Sequence, residues 1–204
     1  MLLNMFSKKT SGENYDRSSG YHLSNFSFYG RVGLVFGGNI YPRRVEGRRL
    51  LDIGCSGGRT TEEISYACGN DAEGIDIMPG NIWIARRNRK KGIYSVQDGY
   101  RNSFPDKRFK AVFFLNGILQ AMHIMTPEMT EERLGQVSRL VSDDGYLLLS
   151  RYSGIELYSR EAYGSLILRR KGKRFETVQR RDDFRRESKR ILDTVETFFE
   201  RKVF

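Results

Sequence analysis

The chain has 204 residues, 39% hydrophobic and 29% charged, with 35 Lys or Arg against 25 Asp or Glu and a net charge of +10. That length suits one domain with a small appendage and a core that needs no staples; Cys55 and Cys68 are too few for a disulfide framework or a cysteine-rich zinc site, and His22, His123 and scattered acids form no metal constellation. No run reaches the roughly 18 apolar residues of a membrane span, so no membrane partner is expected, and the positive charge favours anionic partners without naming one.

Residues 1–48 read as an N-terminal extension of short lid or cap helices. Ser11-Gly12, Ser18-Ser19-Gly20 and Gly37-Gly38 punctuate it, and Phe6, Tyr15, Tyr21, Phe26, Phe28, Tyr29, Phe36 and Tyr41 give it more rings than a floppy tag carries. Its lysines follow its first apolar residues, the reverse of a secretory signal, so the expected location is cytoplasmic. The domain proper is expected over 49–204. Arg49 to Ile53 reads as a buried strand, Gly54-Cys55-Ser56-Gly57-Gly58 as a loop, and Thr60 to Cys68 as a helix. Ala72 to Ile77 is a second strand. Pro79 opens a helix to about Lys90 that Gly92 closes, and Ile93 to Gln97 is a third strand.

Phe109 to Leu115 suits a central strand. Thr126 and Pro127 open a helix whose Leu134, Val137 and Val141 share one face. Asp143-Asp144-Gly145 reads as a turn and Tyr146 to Ser150 as a fifth strand. Beyond it, Leu166 to Leu168 and Phe175 to Gln179 suit a hairpin around Lys171-Gly172-Lys173. Asp183 to Leu192 suits a helix and Thr197 to Phe204 a last strand. Strands alternating with helices predict an α/β, Rossmann-like, mostly parallel sheet with helices on both faces, plus an antiparallel edge strand near the C-terminus. Right-handed crossovers then bring the strand ends and the glycine loop to one edge.

The strand–loop–helix context gives Asp52-x-Gly54-x-Ser56-Gly57-Gly58 its meaning. Glycines there allow a tight turn and close approach of a ligand. It is not a phosphate-binding Lys-Ser/Thr loop, and it lacks strict G-x-G-x-x-G spacing. Asp76 ends the second strand, 24 residues after Asp52, where an acid accepts ribose hydroxyls; Asp98 follows the third strand, where an acid accepts from an adenine amino group. Each aspartate also fits a plain role as cap or turn former.

The run Leu51-Asp52-Ile53-Gly54-Cys55-Ser56-Gly57-Gly58 resembles the first motif of class I S-adenosylmethionine-dependent methyltransferases, most closely their type 11 group. Ala72-Glu73-Gly74-Ile75-Asp76-Ile77, Gln97-Asp98, the stretch 104–119 and the stretch 139–149 resemble their later motifs, in order, over about residues 48–150. The resemblance implies an S-adenosyl-L-methionine cofactor. It implies that Gly54, Ser56 and Gly58 pass under the methionine and ribose, and that Asp52 supports the loop and the methionine amino group. It further implies that Asp76 holds the ribose hydroxyls, Ile77 stacks near the adenine, Asp98 takes the adenine amino group, Gly99 supplies a backbone N–H, and Asn116 lines the pocket near the sulfonium. Ser56 departs from the usual middle glycine, Lys110 stands where an acid often precedes the fourth strand, and Gln120 and Ala121 stand where many relatives have histidines.

Methyl transfer from a sulfonium needs positioning more than a catalytic side chain, and none is singled out; His123 sits where a base would serve, and a surface role fits it equally. Residues 169–190 hold eleven Lys or Arg against four acids, +7 of the net +10, and Arg86 to Lys91 forms a second basic cluster. Such clusters grip phosphates or simply face solvent. The expected acceptor is a small molecule or RNA. No Asn-Pro-Pro-Tyr box, C5-pyrimidine cysteine or Lys-Asp-Lys-Glu set is present to narrow it. The competing readings are a nicotinamide-dependent dehydrogenase and a non-catalytic nucleotide-fold module binding RNA or a protein partner.

Overall fold

The computed structural model describes residues 49–68, 71–115, 122–152, 163–181 and 186–203. The expected N-terminal extension, with its rings and His22, lies outside the described residues, as does Asn116. Among the described residues no helix is long and apolar enough to cross a membrane.

Seven strands form one sheet: β1 (Leu50–Ile53), β2 (Ala72–Asp76), β3 (Ile93–Val96), β4 (Phe109–Leu115), β5 (Val141–Tyr152), β6 (Tyr163–Lys171) and β7 (Arg174–Arg181). Their spatial order is β3-β2-β1-β4-β5-β6-β7. The first five run parallel, and β6 and β7 close one edge as an antiparallel pair. The central strands are apolar nearly throughout because both faces are covered. Leu51, Ile53, Ile75, Val112, Phe114, Leu147 and Leu149 face α3 (Pro127–Ser138) and α4 (Arg186–Arg201). Leu50, Ala72, Ala111, Phe113 and Leu148 point to the other face with Ile64 of α1 (Arg59–Cys68), and α2 (Pro79–Asn88) packs Ile82 and Ala85 there against Cys55 and Tyr94. The parallel order puts the C-terminal ends of β1, β2, β3 and β4 on one edge.

Local chemistry sets the helix ends. Thr126 accepts a hydrogen bond from the Met129 N–H at 3.3 Å, and Pro127 takes the first position of α3. Pro79 does the same for α2. The expected turn at Asp143-Asp144-Gly145 is a bulge inside one long β5. Phe109 pairs with Val141 and Ala111 with Tyr146, so the extra residues loop out, with Asp144 at φ 58°.

The C-terminal region departs from the expected order. The hairpin forms, as β6 and β7. The last strand expected over Thr197 to Phe204 does not: α4 continues through Arg201, and the helix expected over Asp183 to Leu192 is only its first half. Ile191, Leu192, Val195, Phe198 and Phe199 are buried at i, i+1, i+4, i+7 and i+8, a helical stripe that a strand would split between two faces. Phe199 stacks on Phe175 of β7 at 4.9 Å and on Phe198 at 5.0 Å. Truncating this side chain removes both a large apolar surface and the partners of two rings. Phe199→Ala is expected to lower the unfolding free energy in urea by about 3–5 kcal/mol, and the exposed neighbour Glu200→Ala by less than about 0.5 kcal/mol.

Candidate cofactor site

The loop after β1 turns on left-handed backbone at alternate residues: Gly54 (φ 76°), Ser56 (φ 50°) and Gly58 (φ 78°). Ser56 is the costly one, since a side chain seldom adopts that region. It is held there by its N–H, which donates to Asp76 Oδ2 at 2.9 Å. The Gly54 and Cys55 N–H groups donate to the Ile75 carbonyl at 2.8 and 2.9 Å, so the loop is laced to the end of β2. A Cβ built on Gly54 meets nothing within 4 Å, leaving open space above that residue for a ligand.

Asp52 is buried, and its Oδ2 accepts from Thr61 Oγ1 at 2.7 Å, tying β1 to α1. Asp76 organises the next corner. Besides Ser56, it accepts from the Met78 N–H at 2.8 Å and from Asn81 Nδ2 at 3.2 Å. Ile77 and Met78 follow it with their apolar side chains in solvent, 63% and 58% exposed. Asp98 accepts from the Tyr100 N–H at 2.8 Å and so does form a turn. Gly99 lies against β1: a Cβ there would sit 2.4 Å from Ile53 Cγ2. The structure therefore brings Asp52, Gly54, Ser56, Gly58, Asp76, Ile77, Asp98 and Gly99 to one edge of the sheet. His123 lies in a short 3-10 turn, Met122–Ile124.

Several supporting residues carried no sequence signal of their own. Tyr94 of β3 is the main one. Its ring lies under the loop in space left by three glycines: a Cβ would come within 2.6 Å of it at Gly58, 2.9 Å at Gly74 and 2.8 Å at Gly92. Its hydroxyl stands 3.0 Å from the Gly58 carbonyl and 2.7 Å from that of Lys91. Burial pushes the phenol far above its ordinary range, so it stays a donor. Arg89 donates to the Gly57 carbonyl at 2.9 Å and Arg86 to the Tyr94 carbonyl at 2.7 Å. The basic cluster at the end of α2 thus braces the loop, while Arg87 lies over the Trp83 ring at 5.1 Å. On the other side of the edge, Tyr100 packs on Phe114 at 5.6 Å with Arg133 over its ring at 4.7 Å.

Four of the tail's cations, among the described residues, are matched internally. Arg170 is buried and donates to the Val141 and Gly172 carbonyls at 2.9 Å. Arg169 pairs with Asp144 at 3.4 Å and Lys171 with Glu176 at 2.7 Å, and Arg180 bridges Asp193 and Glu196. Lys173 and Arg174, at the hairpin tip, stand exposed.

Residues 50–145 match the methyltransferase domain family. The chain carries the fold of the class I S-adenosylmethionine-dependent methyltransferase superfamily. Among curated proteins it is similar to the ubiquinone biosynthesis O-methyltransferase of Azorhizobium caulinodans, 29% identical over 53% of this chain and 42% of that one. The enzyme of the same name from Cereibacter sphaeroides is 39% identical over 30% of this chain and 24% of that one. The chain thus spans less than half the length of these relatives. A TehB-like SAM-dependent methyltransferase structure from Corynebacterium glutamicum aligns over 70% of this chain and 73% of that one, at 23% identity and a TM-score of 0.49.

Two outcomes test the loop. Gly58→Ala forces an alanine into left-handed backbone and into the Tyr94 ring, and is expected to cost about 2–4 kcal/mol in urea unfolding. Burial, with the Asp52 and Asp76 charges adding, holds the Cys55 thiol far above the ordinary range. In a Cys68→Ser background, Cys55 is therefore expected to resist Ellman's reagent at pH 8 in the folded protein and to react on unfolding.

Proposed function

We propose that the protein is a methyltransferase that binds S-adenosyl-L-methionine at the edge formed by the ends of β1, β2 and β3. The observation that carries this reading is the Ser56–Asp76 link. It fixes an open glycine loop beside a buried ribose-type acid on adjacent parallel strands, within the segment that matches the methyltransferase domain family.

When bound, the cofactor supplies the electrophilic methyl group. The chain's own residues bind and orient. The open face of Gly54 admits the methionine end, and Asp52, bonded to Thr61, supports that loop from below. Asp76 has three of its roughly four acceptor positions occupied, so it takes one ribose hydroxyl directly. A second hydroxyl displaces Asn81, whose 3.2 Å bond is the longest of the three. Exposed Ile77 offers an apolar face to the adenine, and Asp98 and Gly99 take its polar edge. Asn116 is assigned to the sulfonium side. Holding both reactants in line, away from water, is the contribution a transferase of this chemistry requires.

The acceptor is assigned to the small-molecule or RNA class. Two curated relatives named O-methyltransferases favour an oxygen nucleophile. The internal pairing of Arg169, Lys171 and Arg180 favours a small molecule over RNA, because those charges already have protein partners. A non-catalytic binding module is the second reading, and turnover separates it from the first.

Calorimetry with S-adenosylmethionine, S-adenosylhomocysteine and NAD tests the cofactor. Binding of the first two in the micromolar range, weakened at least about tenfold by Asp76→Ala, with no NAD heat, is the expected result. Absence of binding by the first two overturns the reading, and an NAD signal favours a dehydrogenase.

A further inference from the structure

The twelve residues between β3 and β4, 97–108, carry Asp98 and Gly99 and form no strand or helix. A loop of that length holds one conformation only if something pins it against its conformational entropy. Phe104 anchors it to the core by packing edge-on against Phe109 at 5.0 Å. The other anchor comes from the end of α3.

Arg139, at the C-cap of α3, turns its guanidinium into this loop. Nη1 donates to the Phe104 carbonyl at 2.7 Å and to Asp106 Oδ1 at 2.9 Å. Nη2 donates to the Asn102 carbonyl at 3.1 Å and to Asn102 Oδ1 at 3.0 Å. Nε donates to Gln136 at 3.3 Å on its own helix. All five donors of a guanidinium are thereby engaged, four of them by the loop. The Arg139 carbonyl also accepts from the Lys107 N–H at 2.7 Å. Asn102 passes the constraint on: its Nδ2 donates to the Gly99 carbonyl at 2.9 Å. Gly99 in turn has no slack, since it lies against Ile53.

We infer that Arg139 is a positioning residue for adenine recognition: through Asn102 it fixes Asp98 where its carboxylate accepts from the adenine amino group, and Gly99 where its N–H donates to a ring nitrogen. The inference rests on the cofactor reading above. A planar fork is required, because no lysine ammonium satisfies Phe104, Asp106 and both oxygens of Asn102 at once. Arg139 itself touches no ligand, having no donor left to offer one.

The test compares S-adenosylhomocysteine with its deaminated analogue S-inosylhomocysteine by calorimetry, alongside thermal melts. The wild type is expected to prefer the adenosyl ligand. Asp98→Ala, Arg139→Gln and Asn102→Ala are each expected to cut that preference by about tenfold, the worth of one good hydrogen bond. Arg139→Lys is expected to restore little of it. Combining Asp98→Ala with Arg139→Gln is expected to cut it no further than either alone, since both remove the same recognition. Asn102→Ala removes the bond its Oδ1 accepts from the Phe104 N–H but leaves the helix cap and Arg139's bonds to the Phe104 carbonyl and Asp106 in place, so it answers the question even if Arg139→Gln fails to fold. A lower melting temperature with an undiminished preference in Arg139→Gln or Asn102→Ala overturns the inference and leaves the cofactor reading standing. An undiminished preference in Asp98→Ala also overturns it. A wild type that binds neither ligand overturns the cofactor reading, and the inference falls with it.

Discussion

The candidate site depends on a ring with nowhere else to go. Tyr94 fills space that exists only because Gly58, Gly74 and Gly92 lack side chains, and its hydroxyl closes on the Gly58 carbonyl. Those glycines belong to three separate pieces of chain: the loop after β1, strand β2, and the turn into β3. Packing the ring therefore sets the glycine loop's height over the sheet before any ligand is present. The loop's left-handed residues are affordable in that setting because Arg89 holds the Gly57 carbonyl and Asp76 holds the Ser56 N–H.

How much of this was legible in the sequence follows from how local each feature is. The glycine loop, Asp76 and Asp98 stand at predictable strand ends, and apolar runs such as Ala111 to Leu115 identify strands without reference to anything distant. Tyr94 was not legible, because its role depends on glycines up to 36 residues away in the chain. Arg139 was not legible for the same reason: its partners begin 33 residues earlier, and nothing local marks it off from other helix-end cations. The end of α4 was misread for a different cause. Phe198, Phe199 and Val203 suit a strand as readily as a helix in a short window. Only the stripe begun at Ile191 and Leu192, docked on Phe175, decides the period.

Charge behaves similarly. A net charge of +10 concentrated in two clusters suggests an anionic surface partner. In the fold, Arg86 and Arg89 are backbone braces, Arg170 is a buried staple between β5 and the hairpin turn, and Arg180 clamps α4 to β7 through Asp193 and Glu196. Arginine suits these tasks because its fixed fork reaches several carbonyl or carboxylate oxygens from one side chain. Part of the basic composition is thus architectural. Exposed Lys173 and Arg174 lie at the hairpin tip, on the sheet's opposite edge from β3.

The two halves of the site are held from opposite layers. The glycine loop is fixed by Tyr94 and Arg89 on the face of α1 and α2, whereas the 97–108 loop is fixed by Arg139 and Phe104 on the face of α3 and α4. Among the described residues the sheet edge joins them, through Gly99 against Ile53 and the Gln97 N–H donating to the Asp76 carbonyl at 3.1 Å. Strain introduced in one layer therefore reaches one half of the candidate site first. On the proposed cofactor reading, damage near Tyr94 falls on the methionine and ribose side, and damage near Arg139 falls on the base. A ligand that contacts both halves closes the gap between the layers, and so gains affinity from whichever layer is already rigid.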